Sequence, residues 1–225
     1  MASGAPDYER IVTVVAETQM GVGAPDWTRI VVGAGGVPIG GTSNNDLISS
    51  DRDFVGWTFD PYLATADGVS AASGQIAFAL VKATKTTSIS DIWAWFENAG
   101  AGLTSDENYL GVYSFTGSGV FPTTMTLLGA TAAGLMDTVP GAGHPAAYAL
   151  ASSVAVTAGD LYYVAALFNA TSRPQFNYLS DPSYTSSIPV NPTMLSTAST
   201  YTTLPSSLVG ANVTYSGIYF WSAIV

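Results

Sequence analysis

The sequence lacks cysteine, contains one histidine (His144) and is poor in basic residues. Without cysteine, no disulfide framework, thiolate zinc site or thiol nucleophile can form. A single imidazole also excludes metal sites built from several histidines. Lys and Arg number 6 against 16 Asp and Glu, for a formal net charge of -10. Because phosphate backbones are bound by basic stripes, no nucleic acid partner is expected, and an anionic membrane surface is disfavoured.

Long apolar runs are also missing. The longest, Leu161–Phe168 and the interrupted Ile218–Val225, fall far short of the roughly 20 residues that span a bilayer, so no membrane insertion is expected. Residues Met1 to Arg10 have no apolar stretch typical of a secretory signal, so no signal-directed secretion is expected. Charged residues make up 10% of the chain, well below the usual share. Much of the surface should therefore be Ser, Thr, Gly and Ala, or be covered by other subunits.

Short segments rich in β-branched and aromatic residues, separated by Gly, Pro, Asn, Asp, Ser and Thr, dominate the sequence from Asp51 onward. This pattern predicts strands, and no segment carries apolar residues at helical spacing over three turns. The expected strands are Phe54–Phe59, Gln75–Lys82, Ser88–Glu97, Tyr109–Phe115, Met125–Ala132, Ala147–Val156, Leu161–Asn169 and Asn212–Val225. They predict an all-β fold, an antiparallel β-sandwich of jelly-roll type at residues 51–225, preceded by an extended N-terminal arm at residues 1–50.

The predicted arm contains a direct repeat. Gly4–Val12 recurs as Gly23–Val31, and each copy joins a Pro-Asp turn to a short β-branched segment. Two interpretations stay open: a duplicated hairpin, or a pair of docking elements that grip a repeating surface. Under the second interpretation the arm is an anchor. Its candidate contact residues are Pro6, Asp7, Tyr8, Arg10, Pro25, Asp26, Trp27 and Arg29.

Two predicted strands, Ser88–Glu97 and Asn212–Val225, carry large apolar side chains on both faces. A strand with one solvated face alternates apolar with polar residues, so each of these strands should be covered twice. We expect the sandwich core to cover one face and a second subunit to cover the other. The candidate interface residues are Trp93, Trp95, Tyr215, Tyr219 and Trp221.

The segment from about residue 181 to 211 is dense in Ser, Thr and Pro, and no charged residue follows Asp181. In isolation such a composition is typical of a disordered linker. An aromatic strand follows it, however, so the segment is anchored at both ends. We expect a long excursion that packs along a neighbouring molecule or around the domain.

A set of ordered motifs between residues 88 and 169 resembles a family of virion structural proteins from tailed phages of actinobacteria, usually called minor tail proteins. The motifs here are Ala99–Thr104 (AGAGLT), Asn108–Tyr113 (NYLGVY), Leu127–Ala132 (LLGATA), Val154–Gly159 (VAVTAG) and Tyr162–Thr171 (YYVAALFNAT). The resemblance implies a jelly-roll domain on the exterior of a virion that is assembled in the host cytoplasm. The arm and its repeat have no counterpart in the family.

The resemblance implies a non-enzymatic structural protein, and we favour a capsid decoration, or minor capsid, protein. About fifty residues precede the domain, and an arm of this length is sufficient to attach it to a capsid shell. The implied partners are the major capsid protein or tail proteins, and further copies of the chain as a homo-oligomer, with a trimer chosen by analogy. The alternative is a minor tail or tail-tip protein that binds host surface glycan. A sugar-stacking platform could then use Trp57, Trp93, Trp95, Tyr162, Tyr163 and Trp221.

Catalytic and cofactor motifs are weak. Ile30–Gly36 looks like the start of a dinucleotide fingerprint, but Pro38 takes the place of the third glycine and no helix pattern follows. His144 lies in a Gly/Pro turn without a recognisable nucleophile partner. The scattered carboxylates are expected to cap turns rather than to cleave glycosides, and a loop Ca²⁺ site stays open. We expect no enzyme activity, cofactor or metal site.

Overall fold

The computed structural model describes residues 54–59, 61, 64–117, 122–139, 145–179, 194–216 and 219–225. All of them belong to residues 48–225, one of the two units into which the chain divides. The predicted arm, with its candidate anchor residues Pro6 to Arg10 and Pro25 to Arg29, lies outside the described residues, as does His144. The anchor therefore stays a prediction.

Within these residues the chain forms strands and two short 3-10 turns, at Leu135–Asp137 and Gly210–Asn212. The strands are β1 (Gly56–Trp57), β2 (Thr65–Val69), β3 (Ile76–Lys82), β4 (Thr87–Ala94), β5 (Phe96–Asn98), β6 (Ala101–Leu103), β7 (Tyr109–Thr116), β8 (Thr124–Ala130), β9 (Ala146–Val156), β10 (Leu161–Leu167), β11 (Ala170–Ser172), β12 (Gln175–Tyr178), β13 (Met194–Thr197), β14 (Ser207–Val209), β15 (Val213–Tyr215) and β16 (Ser222–Ile224).

Two antiparallel sheets form the sandwich. One has the order β1-β16-β4-β9, and the other has the order β14-β8-β7-β10-β3-β13-β15. Eight of these strands form the two sheets of a jelly roll; in chain order they are β1, β3, β4, β7, β8, β9, β10 and β16. If they are numbered 1 to 8, one sheet has the order 1-8-3-6 and the other contains the order 2-7-4-5. This is the strand order of a jelly roll. The predicted all-β sandwich of jelly-roll type is confirmed.

The predicted strands fall on observed ones, but two of them are divided. Ser88–Glu97 ends as β4 at Ala94, and β5 leaves the sheet to pair with β12. Asn212–Val225 contains β15, in the seven-stranded sheet, and β16, in the four-stranded sheet. The expectation of one long two-faced strand at the C-terminus is therefore wrong.

The main core lies between the two sheets. Ala77, Ala79 and Val81 on β3 contribute to it together with Ile92 on β4 and Val164 on β10, all with an exposed fraction of 1% or less. The alternate side chains of β3 and β10 point to the opposite face of the seven-stranded sheet, which we call the outer face. These side chains are buried as well, so the central strands are apolar on both faces.

A second core covers the outer face. Its members include Phe78, Tyr163 and Leu204. Strand β13 pairs with β3 at one side of the sheet, and β14 pairs with β8 at the other, so residues 198–206 run from one side to the other. We call residues 198–206 the crossing segment.

The crossing segment contacts the sheet closely. A Cβ atom at Gly111 on β7 would lie 2.5 Å from Cδ1 of Leu204, and the Tyr113 hydroxyl donates a hydrogen bond of 2.7 Å to the carbonyl oxygen of Pro205. The described part of the Ser/Thr/Pro-rich segment, from residue 194 to 211, thus packs around its own domain.

Two smaller sheets extend the sandwich at one end. One has the order β2-β12-β5 and the other joins β11 to β6. Backbone hydrogen bonds from Asn177 N to Trp95 O and from Trp221 N to Asn177 O, both 2.9 Å, connect β12 to the four-stranded sheet. This end of the domain holds the cleft described below.

Candidate functional site

Two of the five predicted interface residues are buried inside the domain. Trp221 is 1% exposed and Tyr219 is 7% exposed. The Tyr219 hydroxyl donates a hydrogen bond of 2.6 Å to the Thr58 carbonyl oxygen, and burial raises the pKa of this phenol above its ordinary value. Side chains this deeply buried have almost no surface left for a second subunit.

The other three predicted interface residues keep some exposure. Trp93 and Trp95 are half-buried, and Tyr215 on β15 is 51% exposed. Phe54, which precedes β1, packs edge-on against Trp93 with ring centroids 5.5 Å apart, and Trp95 packs edge-on against Trp221 at 6.4 Å. Part of the aromatic surface on this side of the four-stranded sheet is thus covered by the chain itself. Self-association stays a prediction, with Tyr219 and Trp221 buried in the domain and Trp93, Trp95 and Tyr215 left as the accessible candidates.

The residues proposed for a sugar-stacking platform do not form one. Trp57, Tyr162, Tyr163 and Trp221 are exposed by 5%, 6%, 0% and 1% of their surface. A sugar ring stacks on an accessible aromatic face, which these four residues do not present. Any glycan contact through aromatic residues of this set is restricted to the half-buried Trp93 and Trp95.

The motifs that carry the phage resemblance hold the fold together. Asn108 in the motif NYLGVY is fully buried, and its amide nitrogen donates to the Thr104 carbonyl oxygen at 2.6 Å and to Asp137 Oδ1 at 2.8 Å. Its amide oxygen accepts a hydrogen bond of 3.0 Å from the backbone nitrogen of Asn169. One side chain therefore joins three separate loops. These bonds also satisfy the amide, as is expected of a buried polar group.

Asn169, at the end of the motif YYVAALFNAT, continues this network. Its amide nitrogen donates to the carbonyl oxygens of Tyr201 at 2.8 Å and Glu107 at 3.3 Å. The Tyr201 contact holds the start of the crossing segment against the loop after β10. Asn169 thus has a structural role in the domain.

Asp137 fixes the loop before β7 from the other side. Its carboxylate accepts hydrogen bonds from Asn108 Nδ2 and, at 2.9 Å, from the backbone nitrogen of Asp106. The hydrogen bond from Asn108 is the main cause that lowers the pKa of Asp137. Asp106 needs this support because its φ of 61° lies in the left-handed region that non-glycine residues rarely adopt.

A cleft of about 460 Å³ lies at the end of the sandwich that carries the small sheets. We call it the polar cleft. The cleft is lined by small and polar residues and by one cation, Arg173. The lining residues include Ser70, Asn98, Ala101, Thr171 and Gln175.

Close backbone contacts fix the walls of the polar cleft. Gly100 has a φ of 75°, and a Cβ atom there would lie 2.5 Å from the Ser172 carbonyl oxygen. Asn98 Nδ2 donates a hydrogen bond of 2.6 Å to Gln175 Oε1 across the pair β5–β12. Ser172 pairs with Ala101 in the pair β11–β6. The cleft is therefore held by two strand pairings rather than by free loops.

Sequence reasoning missed the polar cleft. Its residues come from three segments that are about 28 and 75 residues apart in the chain, counted from Ser70 to Asn98 and from Asn98 to Arg173. None lies in a recognisable motif spacing. The signals available in the sequence were Gly100, which lines the cleft, and the scarcity of cations, which makes each arginine informative.

No family model matches the chain, and no curated protein is similar to it at a significant level. In the described part of the chain, no helix is long and apolar enough to cross a membrane. Within the same residues, no group of three or more His, Asp or Glu side chains is arranged to hold a metal ion.

Proposed function

We propose that this chain is a non-enzymatic structural protein on the exterior of a phage particle, where it decorates the capsid. One observation carries the proposal. The ordered motifs that resemble the virion proteins include residues with structural contacts inside the jelly roll, above all Asn108, Asn169 and Gly111. The resemblance thus includes residues with structural roles in this fold and does not rest on composition alone.

The covering of the outer face supports a role as a unit that folds before it reaches the particle. The crossing segment buries the second face of β3 and β10 within one chain. A folded copy then needs no partner to complete its central sheet, and attachment can be left to a separate segment. The candidate segment is the predicted arm at residues 1–50, with the major capsid protein as its partner.

The course of the chain is compatible with attachment through that arm. The chain enters the domain at β1, at one side of the four-stranded sheet, where Gly56 pairs with Ile224 close to the C-terminus. Phe54, the first residue that the structure describes, directly precedes this edge strand. An edge position of the first described strand is compatible with a docking segment that precedes it in the sequence.

A second candidate function is a minor tail or tail-tip protein that binds a host surface glycan. The polar cleft favours it, since amide and hydroxyl groups match the hydroxyl groups of a saccharide. Homo-oligomerisation, with a trimer as the expected state, is compatible with either function.

Immunogold electron microscopy of the particle whose genome encodes this chain tests the proposal. Antibodies against the full chain should label the surface of intact heads. Label on the tail or its tip would replace the first candidate with the second. Absence of label from intact and opened particles, with strong label in infected cells, would overturn both.

A further inference from the structure

The polar cleft contains an arginine that has no partner among the residues the structure describes. Arg173 is part-buried, and within the described residues its guanidinium forms no ion pair or hydrogen bond. It is also the only charged residue among those described in the cleft lining. Because the whole chain carries a formal charge of -10, an unpaired cation in a cleft is a local exception to the charge of the molecule.

The groups around Arg173 select the kind of anion. Guanidinium groups bind carboxylates through two parallel hydrogen bonds. Asn98, Gln175 and Ser70 offer neutral donors and acceptors, which suit hydroxyl groups. A phosphate or sulfate ester would call for more than one cation.

The size and rigidity of the cleft agree with a small saccharide. A volume of about 460 Å³ lies within the range of about 300–1,000 Å³ typical of ligand sites. The Asn98–Gln175 hydrogen bond and the contact of Gly100 with the Ser172 backbone hold the walls in place before any ligand arrives. Pre-formed walls reduce the entropy that binding would otherwise cost.

We propose that the polar cleft binds a saccharide that carries a carboxylate, with Arg173 on the carboxylate and Asn98, Gln175 and Ser70 on ring hydroxyls. Binding is reversible and involves no covalent step. The proposal deepens the second candidate function, but it does not depend on where the chain sits on a particle. Its failure would leave a capsid decoration role intact, and the converse also holds.

Titration of the ¹⁵N-labelled full chain, followed by NMR, tests this site. The probes are D-glucuronate, D-glucose and acetate, which separate the acidic sugar from its neutral and its hydroxyl-free counterparts. We expect saturable shifts with D-glucuronate at amides of residues 98–101 and 171–175, with affinity in the millimolar range. D-Glucose and acetate should each bind about tenfold more weakly, because each lacks one half of the recognised group.

Two charge-matched variants provide the control. Arg173→Gln should weaken D-glucuronate binding about tenfold, whereas Lys85→Gln, which removes an exposed cation elsewhere, should leave it unchanged. If Arg173→Gln does not fold, Arg173→Lys keeps the charge, loses the fork geometry and should bind with intermediate affinity. No saturable shift with D-glucuronate, equal loss in both Gln variants, or acetate binding as tight as D-glucuronate binding would each overturn the proposal.

Discussion

Truncation of Leu204 to alanine tests whether the crossing segment stabilises the domain. Leu204 is 8% exposed and belongs to the core on the outer face of the seven-stranded sheet. Replacement of a buried leucine by alanine costs about 2–5 kcal/mol of unfolding free energy. A matched control is Leu128→Ala, on β8 but 37% exposed, which should cost less than about 1 kcal/mol.

Gly111 supplies the second half of the experiment. A Cβ atom there would meet Leu204 Cδ1 at 2.5 Å, the Gly129 carbonyl oxygen at 3.1 Å and Leu127 Cδ1 at 3.2 Å. Gly111→Ala should therefore destabilise the wild-type domain by about 1–3 kcal/mol through overpacking. In the Leu204→Ala background the shortest contact is gone and the new methyl group occupies part of the vacated space. The two changes should then couple by about 1 kcal/mol or more.

Urea unfolding, followed by tryptophan fluorescence, measures these energies. The wild type, Leu204→Ala, Gly111→Ala and the double variant form a double-mutant cycle, and Leu128→Ala is the control. The expected result is a smaller total loss in the double variant than the sum of the two single losses. Strictly additive losses would mean that Gly111 and Leu204 do not touch. A loss for Leu204→Ala no greater than that for Leu128→Ala would mean that the crossing segment does not cover the sheet.

Three further predictions concern the hydrogen-bond network, the buried phenols and the aromatic cluster. Asn108→Asp should cost about 2–4 kcal/mol in the same unfolding assay, because it removes the donors to Thr104 and Asp137 and places a second carboxylate beside Asp137; a loss below about 0.5 kcal/mol would refute the network. Burial raises the pKa of Tyr148 to about 12, and raises the pKa of Tyr113, Tyr163 and Tyr219 as well. A folded-state pKa above the unfolded value contributes stability that is fully present below pH 10 and is lost as pH rises toward and beyond 12. The urea concentration at the unfolding midpoint should therefore decrease as pH is raised above 10. A midpoint that stays constant from pH 9 to 12 would contradict the burial of these phenols. Trp221→Ala should lower the free energy of unfolding by about 3–5 kcal/mol, whereas Tyr215→Ala should lower it by less than about 1 kcal/mol. Equal losses would mean that Trp221 is not buried.

The sequence predicted the sandwich because each long strand carries β-branched and aromatic residues between clear turn residues. This pattern is strong enough to locate β3, β7 and β10 without tertiary information. The pattern could not predict which residues cover the outer face of the seven-stranded sheet. Leu195 and Leu208 lie in short strands within a Ser/Thr/Pro-rich stretch, and a strand of three or four residues has too few side chains to show a period.

The candidate site was harder to predict than the fold, for a different reason. Ser70, Asn98 and Arg173 become neighbours only when β2, β5 and β12 pair, and none of these residues alone suggests binding. The prediction for Trp221 failed because burial depends on what packs over a strand, here Phe54 and Trp95. Periodicity within a strand carries no information about such distant partners.

The central claim, that this chain is an exterior capsid component, is tested most directly by its copy number in purified particles. Quantitative mass spectrometry should find peptides of this chain in numbers comparable with those of the major capsid protein. A handful of copies per particle would contradict capsid decoration and assign the chain to the tail. Complete absence from purified particles would contradict the virion role itself.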